Sequence, residues 1–221
     1  VSSRKPKLQL FDLFALVARA LGNGHRLELL EHLGQGERGV ENLAVLSGLS
    51  VANASQHLLR LRRAGLVVSS RQGKHVLYGL ADEAVIDLLG SLRRVAERNL
   101  AEVDRVVDGY FRDRDAMEPL NSGELLKRIR DGSATALDVR PADEYRRGRV
   151  PGAINIPLGD LARRLAELDP DREIVAYCRG PWCVLSFEAV AVLRKRGFTA
   201  RRLVDGLPEW RAAGLPVEQD T

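Results

Sequence analysis

In the first third of the chain, apolar positions recur every three or four residues in short blocks. Leu10, Phe11, Leu13, Phe14, Val17 and Leu21 predict a helix over residues 8–21, which Gly22 and Gly24 break. His25 to Leu33 predicts a second short helix carrying Leu27, Leu29, Leu30 and Leu33, and the segment GQGERG predicts a turn. Val40 to Leu46 predicts a third helix, closed by the tight turn Ser47-Gly48-Leu49. Ser50 is placed to cap a fourth helix that runs through Ala64, turns Leu58, Leu59 and Leu61 inward and stops at Gly65. Two short helices joined by a glycine-containing turn form a helix-turn-helix pattern.

The period then changes. Leu66 to Ser70 and His75 to Leu80 are extended runs on either side of Arg71-Gln72-Gly73-Lys74, which predicts a hairpin with a basic tip. From residue 82 to 112 the helical period returns. Val85, Leu88, Leu89, Leu92, Val95, Ala96, Leu100, Val103, Val106, Val107 and Tyr110 make one apolar stripe along about eight turns. A stripe of that length calls for a partner helix from a second copy, or for a face of the remaining chain.

Residues 112–119 read as a linker, dividing the chain into residues 1–112 and 113–221. Beyond it, helices and strands alternate. Helices are predicted over Leu120–Arg130, Asp143–Arg147, Leu158–Leu168 and Leu185–Arg196. Strands are predicted over Ala134–Val139, Ala153–Asn155, Ile174–Tyr177 and Ala200–Val204. This order predicts an α/β domain with a parallel sheet. The expected fold is therefore a mostly helical winged helix-turn-helix followed by an α/β domain.

Charge sharpens the picture of the first part. Residues 1–112 carry the whole formal net charge of +4, and residues 113–221 balance to zero. No Asp or Glu occurs from Asn42 to Ala81, a window holding Arg60, Arg62, Arg63, Arg71 and Lys74. A one-signed window on a helix-turn-helix and hairpin suits a polyanion. No apolar run reaches the length of a membrane span, and the N-terminal stretch lacks a signal-peptide pattern, so a cytoplasmic location is expected.

Candidate chemistry sits in the second part. Both cysteines of the chain, Cys178 and Cys183, fall in one loop between the strand Ile174–Tyr177 and the helix after it. Backbone N–H groups and the helix dipole favour a thiolate there, which makes Cys178 a candidate nucleophile with a lowered pKa. Cys183 reads either as a packing residue or as a resolving thiol. The four histidines are scattered and residues 1–112 hold no thiol, so no metal site and no cofactor is expected.

These motifs resemble known families. The stretch around Cys178 is similar to the active-site region of rhodanese-family sulfurtransferases. So are Leu137-Asp138-Val139-Arg140 with Glu144-Tyr145, the run Gly148 to Pro157, Asp205 to Trp210, and Gly214 to Val217. The resemblance implies a catalytic loop of Cys178, Arg179, Gly180, Pro181, Trp182, Cys183 and Val184. The loop departs from the common C-R-S-G-N-R-S form by extra length, a second Cys and no late Arg. The sixth position after Cys178 is Val184 rather than the Arg of the phosphatase motif C-x5-R, which argues against phosphatase chemistry.

The run GLSVANASQHLLRLRRAGLVVSSRQGKHVLYGLAD resembles the recognition helix and wing of ArsR/SmtB-family repressors. That resemblance implies a homodimer on double-stranded operator DNA. Ser50, Ala52, Asn53, Ser55 and Gln56 would face the major groove, and Arg60, Arg71 and Lys74 the phosphates or minor groove. Joined, the two readings imply a transcriptional regulator, as a repressor, that senses reactive sulfur or redox species through Cys178. The alternative is a sulfurtransferase, active on thiosulfate or a persulfide, tethered to a DNA-binding domain. Either reading expects a small sulfur donor as partner.

Overall fold

The structure, a computed structural model, describes residues 4–110 and 119–220, so most of the expected linker at 112–119 lies outside the described residues. The protein divides into two compact units, Val1–Val85 and Ile86–Thr221. The division falls ahead of the expected boundary at residue 112.

The first unit opens with α1 (Arg4–Leu21), which begins before the predicted residue 8. Only its end is buried, at Ala20 and Leu21; Leu10, Phe11, Leu13 and Phe14 are exposed. Asn23 caps α2 (Gly24–Gly34), its side chain accepting from the Arg26 amide. The segment predicted only as a turn contains a two-residue strand, β1 (Arg38–Gly39), too short to show an alternation. Next come α3 (Val40–Leu46) and α4 (Val51–Arg63), with the Ser50 side chain accepting from the Asn53 amide as the spacing predicts. Ala54, Leu58 and Leu61 form the buried face of α4. Leu59, expected inward, is only half-buried, because it lies about 100° around the helix from Leu58.

The hairpin forms as predicted from β2 (Val67–Gln72) and β3 (His75–Leu80), with Gln72 opposite His75. Gly73 takes a φ of 58° in the two-residue turn between them, a conformation costly for other residues. β1 adds to the far edge of β3, giving the order β1-β3-β2.

In place of one long helix, the stripe of residues 82–112 forms α5 (Ala84–Asn99) and α6 (Ala101–Tyr110). The break falls at Leu100. The Asn99 side chain donates to the Val95 carbonyl at 2.8 Å, competing with the backbone for that acceptor. From Ile86 onward these helices belong to the second unit. Arg93 and Glu97 are partly buried there, whereas Leu88, Leu92 and Val95 are exposed.

The remainder of the second unit is α7 (Ser122–Arg130), β4 (Ala134–Asp138), α8 (Ala142–Arg147), β5 (Ile154–Asn155), α9 (Leu158–Leu161), β6 (Glu173–Tyr177), α10 (Val184–Lys195), β7 (Ala200–Arg202) and α11 (Leu207–Ala212). Asn121 and Glu124 close a capping box on α7. The helix predicted over Leu158–Leu168 stops at Leu161 and resumes only as one 3-10 turn, Leu165–Glu167. α11 was legible only as part of a resemblance.

The sheet is fully parallel, in the order β5-β4-β6-β7. Both faces are covered, as parallel sheets require. Along β6, Ile174 and Ala176 point into one core with Val190 and Leu193, and Val175 and Tyr177 into the other with Leu125 and Trp210. Cys178 continues the first set from the end of a central strand.

Candidate functional sites

The first site is the exposed face of α4 with the hairpin. Burying Ala54, Leu58 and Leu61 leaves Ser50, Ala52, Asn53 and Gln56 exposed and Ser55 half-exposed on the first two turns. Arg60 is exposed further along α4, and Arg71 and Lys74 are exposed at the hairpin tip. Arg71 is steadied by a 3.2 Å bond from Nε to the Gly73 carbonyl. Arg62 donates to Ser69 Oγ at 3.1 Å, tying α4 to β2. Sequence reasoning passed over Val51, 47% exposed at the start of α4 and able to contact an apolar base edge. His57, in the acid-free window but not among the expected contacts, has its pKa lowered by burial first and then by Arg26, His25 and Arg60.

The second site is the loop from Cys178 to Val184, beyond the C-terminal end of β6, where parallel sheets place their ligands. Both thiols are free and buried. Cys178 Sγ lies 3.4 Å from the Cys183 carbonyl oxygen, 3.4 Å from Ser186 Oγ and 3.8 Å from the Gly180 carbonyl oxygen. Cys183 occupies the N-cap position of α10 without making a conventional capping bond. The Cys178 side chain, then the Arg179 and Leu185 amides, then the Arg179 guanidinium favour its thiolate. They outweigh burial and bring its pKa down to about 7.

Cys178 is affected the other way. Burial, then contact with Cys183, push its pKa well up. The expectation of a lowered pKa at Cys178 is thus corrected. The helix N-terminus that was to act on Cys178 begins at Cys183, and the helix effect falls off within one turn.

The loop is held from three sides. Arg179 Nε and Nη2 donate to the Glu144 carboxylate at 2.9–3.1 Å, with Glu144 fully buried on α8. Gly206 lies so close that a Cβ there would be 2.3 Å from the Arg179 carbonyl carbon, so only glycine fits. The Leu207 amide donates to the Cys178 carbonyl at 3.3 Å. Beneath the loop, Arg140 and Asp138 form a fully buried ion pair. Arg140 Nη2 also donates to the Gly148 carbonyl at 2.7 Å. On the third side, Trp182 Nε1 donates to Glu97 Oε1 on α5 at 3.1 Å. Glu144, Gly206 and Glu209 stand in the segments that carry the rhodanese resemblance. Ser186 and Glu97 left no signal in the spacing.

This arrangement holds two neighbouring thiols in one loop, with backbone amides favouring the thiolate of Cys183, a combination suited to sulfur exchange. Among the described residues no group of three or more His, Cys, Asp and Glu could hold a metal ion. None of the described helices is long and apolar enough to cross a membrane.

Fold and site together define a DNA-binding transcriptional regulator built from a winged helix-turn-helix and a rhodanese-like domain. Residues 23–69 match the family "Bacterial regulatory protein, arsR family", and residues 121–213 match "Rhodanese-like domain". The chain is 45% identical to the HTH-type transcriptional regulator Rv0324 of Mycobacterium tuberculosis, over 96% of this chain and 93% of that protein. It belongs to that family of arsR-type regulators with a rhodanese-like domain. A sulfurtransferase of Allochromatium vinosum is 31% identical over 44% of this chain and 92% of its own length. A solved Mycobacterium bovis fragment, described as a homodimeric winged helix-turn-helix DNA-binding domain, is 40% identical. That match covers 43% of this chain and 89% of the fragment, with a TM-score of 0.41.

Proposed function

We propose that this regulator is a homodimeric repressor that reactive sulfur species release from its operator through the Cys178–Cys183 loop. The observation that carries the reading is that the chain's two thiols meet in one amide-lined loop of a protein whose other unit is a DNA-binding winged helix. The exposed apolar positions of α1 and the exposed Leu88, Leu92 and Val95 of α5 supply faces for a second copy.

The sulfur chemistry proceeds in two exchanges. A loop thiolate attacks a sulfane sulfur of a polysulfide. The donor's S–S bond breaks, its electron pair leaves on the shortened chain, and a cysteine persulfide forms. The second thiol then attacks the inner sulfur of that persulfide and passes its proton to the departing sulfur. Hydrosulfide leaves, and a Cys178–Cys183 disulfide remains. The two thiols are oxidised and the sulfane sulfur is reduced. A tenfold loss of DNA affinity needs about 1.4 kcal/mol of difference between the reduced and bridged forms.

The test is a gel-shift titration with sodium tetrasulfide, with and without reductant, on wild type, Cys178→Ser and Cys183→Ser. Wild type should release DNA reversibly, and both variants should hold it. A Cys178→Ser protein that responds as fully as wild type sinks the sensing reading. Sustained turnover of thiosulfate in the same preparation, with no change in DNA affinity, would instead show a tethered sulfurtransferase.

A further inference from the structure

Between the two cysteines, the Trp182 side chain reaches out of the loop to α5. Its indole N–H is bonded to Glu97, near the C-terminal end of α5. Glu97 stands one turn from Arg93, with Arg93 Nε 3.9 Å from Glu97 Oε1. Arg93 also reaches Glu209 Oε1 at 3.4 Å. The other oxygen of Glu209 accepts from the Gly206 amide at 3.1 Å, and Gly206 is the residue pressed against Arg179 and Gly180. α5 is therefore connected to the thiol loop at two points. One is the Trp182 side chain, and the other is the Gly206 strap behind the loop backbone.

The surroundings leave Trp182 room to move. It borders a cleft of about 430 Å³, with Val103 and Val107 of α6 on one wall and Pro181 and Arg202 on another. Along the same α5, Leu88, Leu92 and Val95 remain exposed. One side of the helix thus meets the sulfur loop, and another offers the apolar stripe expected to meet a second copy.

We propose that Trp182 is the lever of the switch, so that bridging Cys178 to Cys183 withdraws its indole from Glu97 and frees α5 to shift. This deepens the sulfur-sensing reading and rests on it. A bridge pins both ends of the segment Arg179–Trp182, so the backbone under Trp182 must rearrange. Arg179 and Gly180 are clamped by Glu144 and Gly206, so the displacement falls on Pro181 and Trp182. Trp182 is a positioning residue here and touches no reacting sulfur in the exchange.

The experiment uses the full chain and sodium tetrasulfide, with Trp182→Phe as the main variant and Glu97→Leu as the second. Phe keeps an aromatic ring in place but removes the N–H donor. Sulfur loading is read by mass spectrometry, DNA affinity by gel shift, and the indole by fluorescence. Wild type should show a change in emission as the bridge forms, and Trp182→Phe should lose that change, leaving only the signal of Trp210. Both variants should form the bridge at a rate within about twofold of wild type. Their donor-induced change in DNA affinity should fall from about tenfold to less than twofold. Unchanged emission in wild type with the bridge fully formed overturns the proposal, as does a full DNA response in both variants. A wild-type protein that bridges without any change in DNA affinity, yet with the emission change, sinks the sensing reading and leaves the motion of Trp182 standing.

Discussion

Cys178 and Cys183 lie five residues apart, one at the end of a strand and the other at the N-cap of α10, and each meets a different electrostatic setting. Cys178, at the end of a buried strand, loses water and has its pKa pushed up. Cys183, at the helix N-cap and 9% exposed, is brought down to about 7. The thiolate fraction at Cys183 grows as pH rises through 7, so iodoacetamide should modify Cys183 first, with a rate profile half-maximal near that value. Peptide mapping after partial alkylation at pH 6, 7 and 8 checks this, and Cys178→Ala should shift the midpoint upward by removing the side-chain donor that favours the Cys183 thiolate. Two neighbouring residues bear on stability rather than reactivity. Asp138→Ala would leave Arg140 buried without its partner and should cost about 3–5 kcal/mol in urea denaturation. Gly206→Ala forces a methyl against the Arg179 backbone and should cost about 1–3 kcal/mol.

At the scale of elements, we propose that α4 and the hairpin divide the work of DNA recognition. The exposed first turns of α4 carry short polar side chains and Gln56, suited to base edges. The hairpin tip carries Arg71 and Lys74, suited to phosphate. Replacing both wing charges with Ala should weaken binding to all sequences alike and flatten the salt dependence by about 0.9 for each phosphate no longer neutralised. Gln56→Ala should alter which operator is preferred while leaving the salt slope in place. Affinity measured over a series of salt concentrations, on two unrelated duplexes, separates the two effects. The helices at the centre of the chain show the limits of periodicity. The apolar stripe over residues 82–112 is a true helical pattern, yet a break falls at Leu100 and two helices form, with the Asn99 side chain bonded to the Val95 carbonyl beside the break. The interruption places Arg93 and Glu97 on one segment and Val103 and Val107 on the next.

At the scale of the molecule, the stripe that called for one partner divides among several directions. Arg93 and Glu97 turn toward the thiol loop, while Leu88, Leu92 and Val95 are left exposed in a single chain. An apolar face of that kind is stabilised by burial against another copy. Leu92→Glu with Val95→Glu should therefore convert the proposed dimer to a monomer in sedimentation, and with it reduce operator affinity by at least tenfold. Sulfur loading of the Cys178–Cys183 loop should persist in that variant, because none of its hydrogen bonds uses those two side chains.

Local pattern was enough to determine most of the secondary structure, the wing turn at Gly73, the cap at Ser50 and the placement of Cys178 beyond the end of a buried strand. Each depends on residues within one turn or one strand of each other, so the order of residue types along the chain specifies it. The motifs around Cys178 and along α4 and the wing added the two families, by resemblance. Tertiary structure alone decided what depends on distant partners. The pairing of β1 with β3 joins two residues that have no period of their own. The opposite directions of the two thiols arise because the Cys178 side chain and the Arg179 and Leu185 amides favour the Cys183 thiolate, while Cys178 is enclosed in the core. The bond from Trp182 to Glu97 spans 85 residues of sequence and has no local signature, since a tryptophan in a loop and a glutamate on a helix meet only when the chain folds.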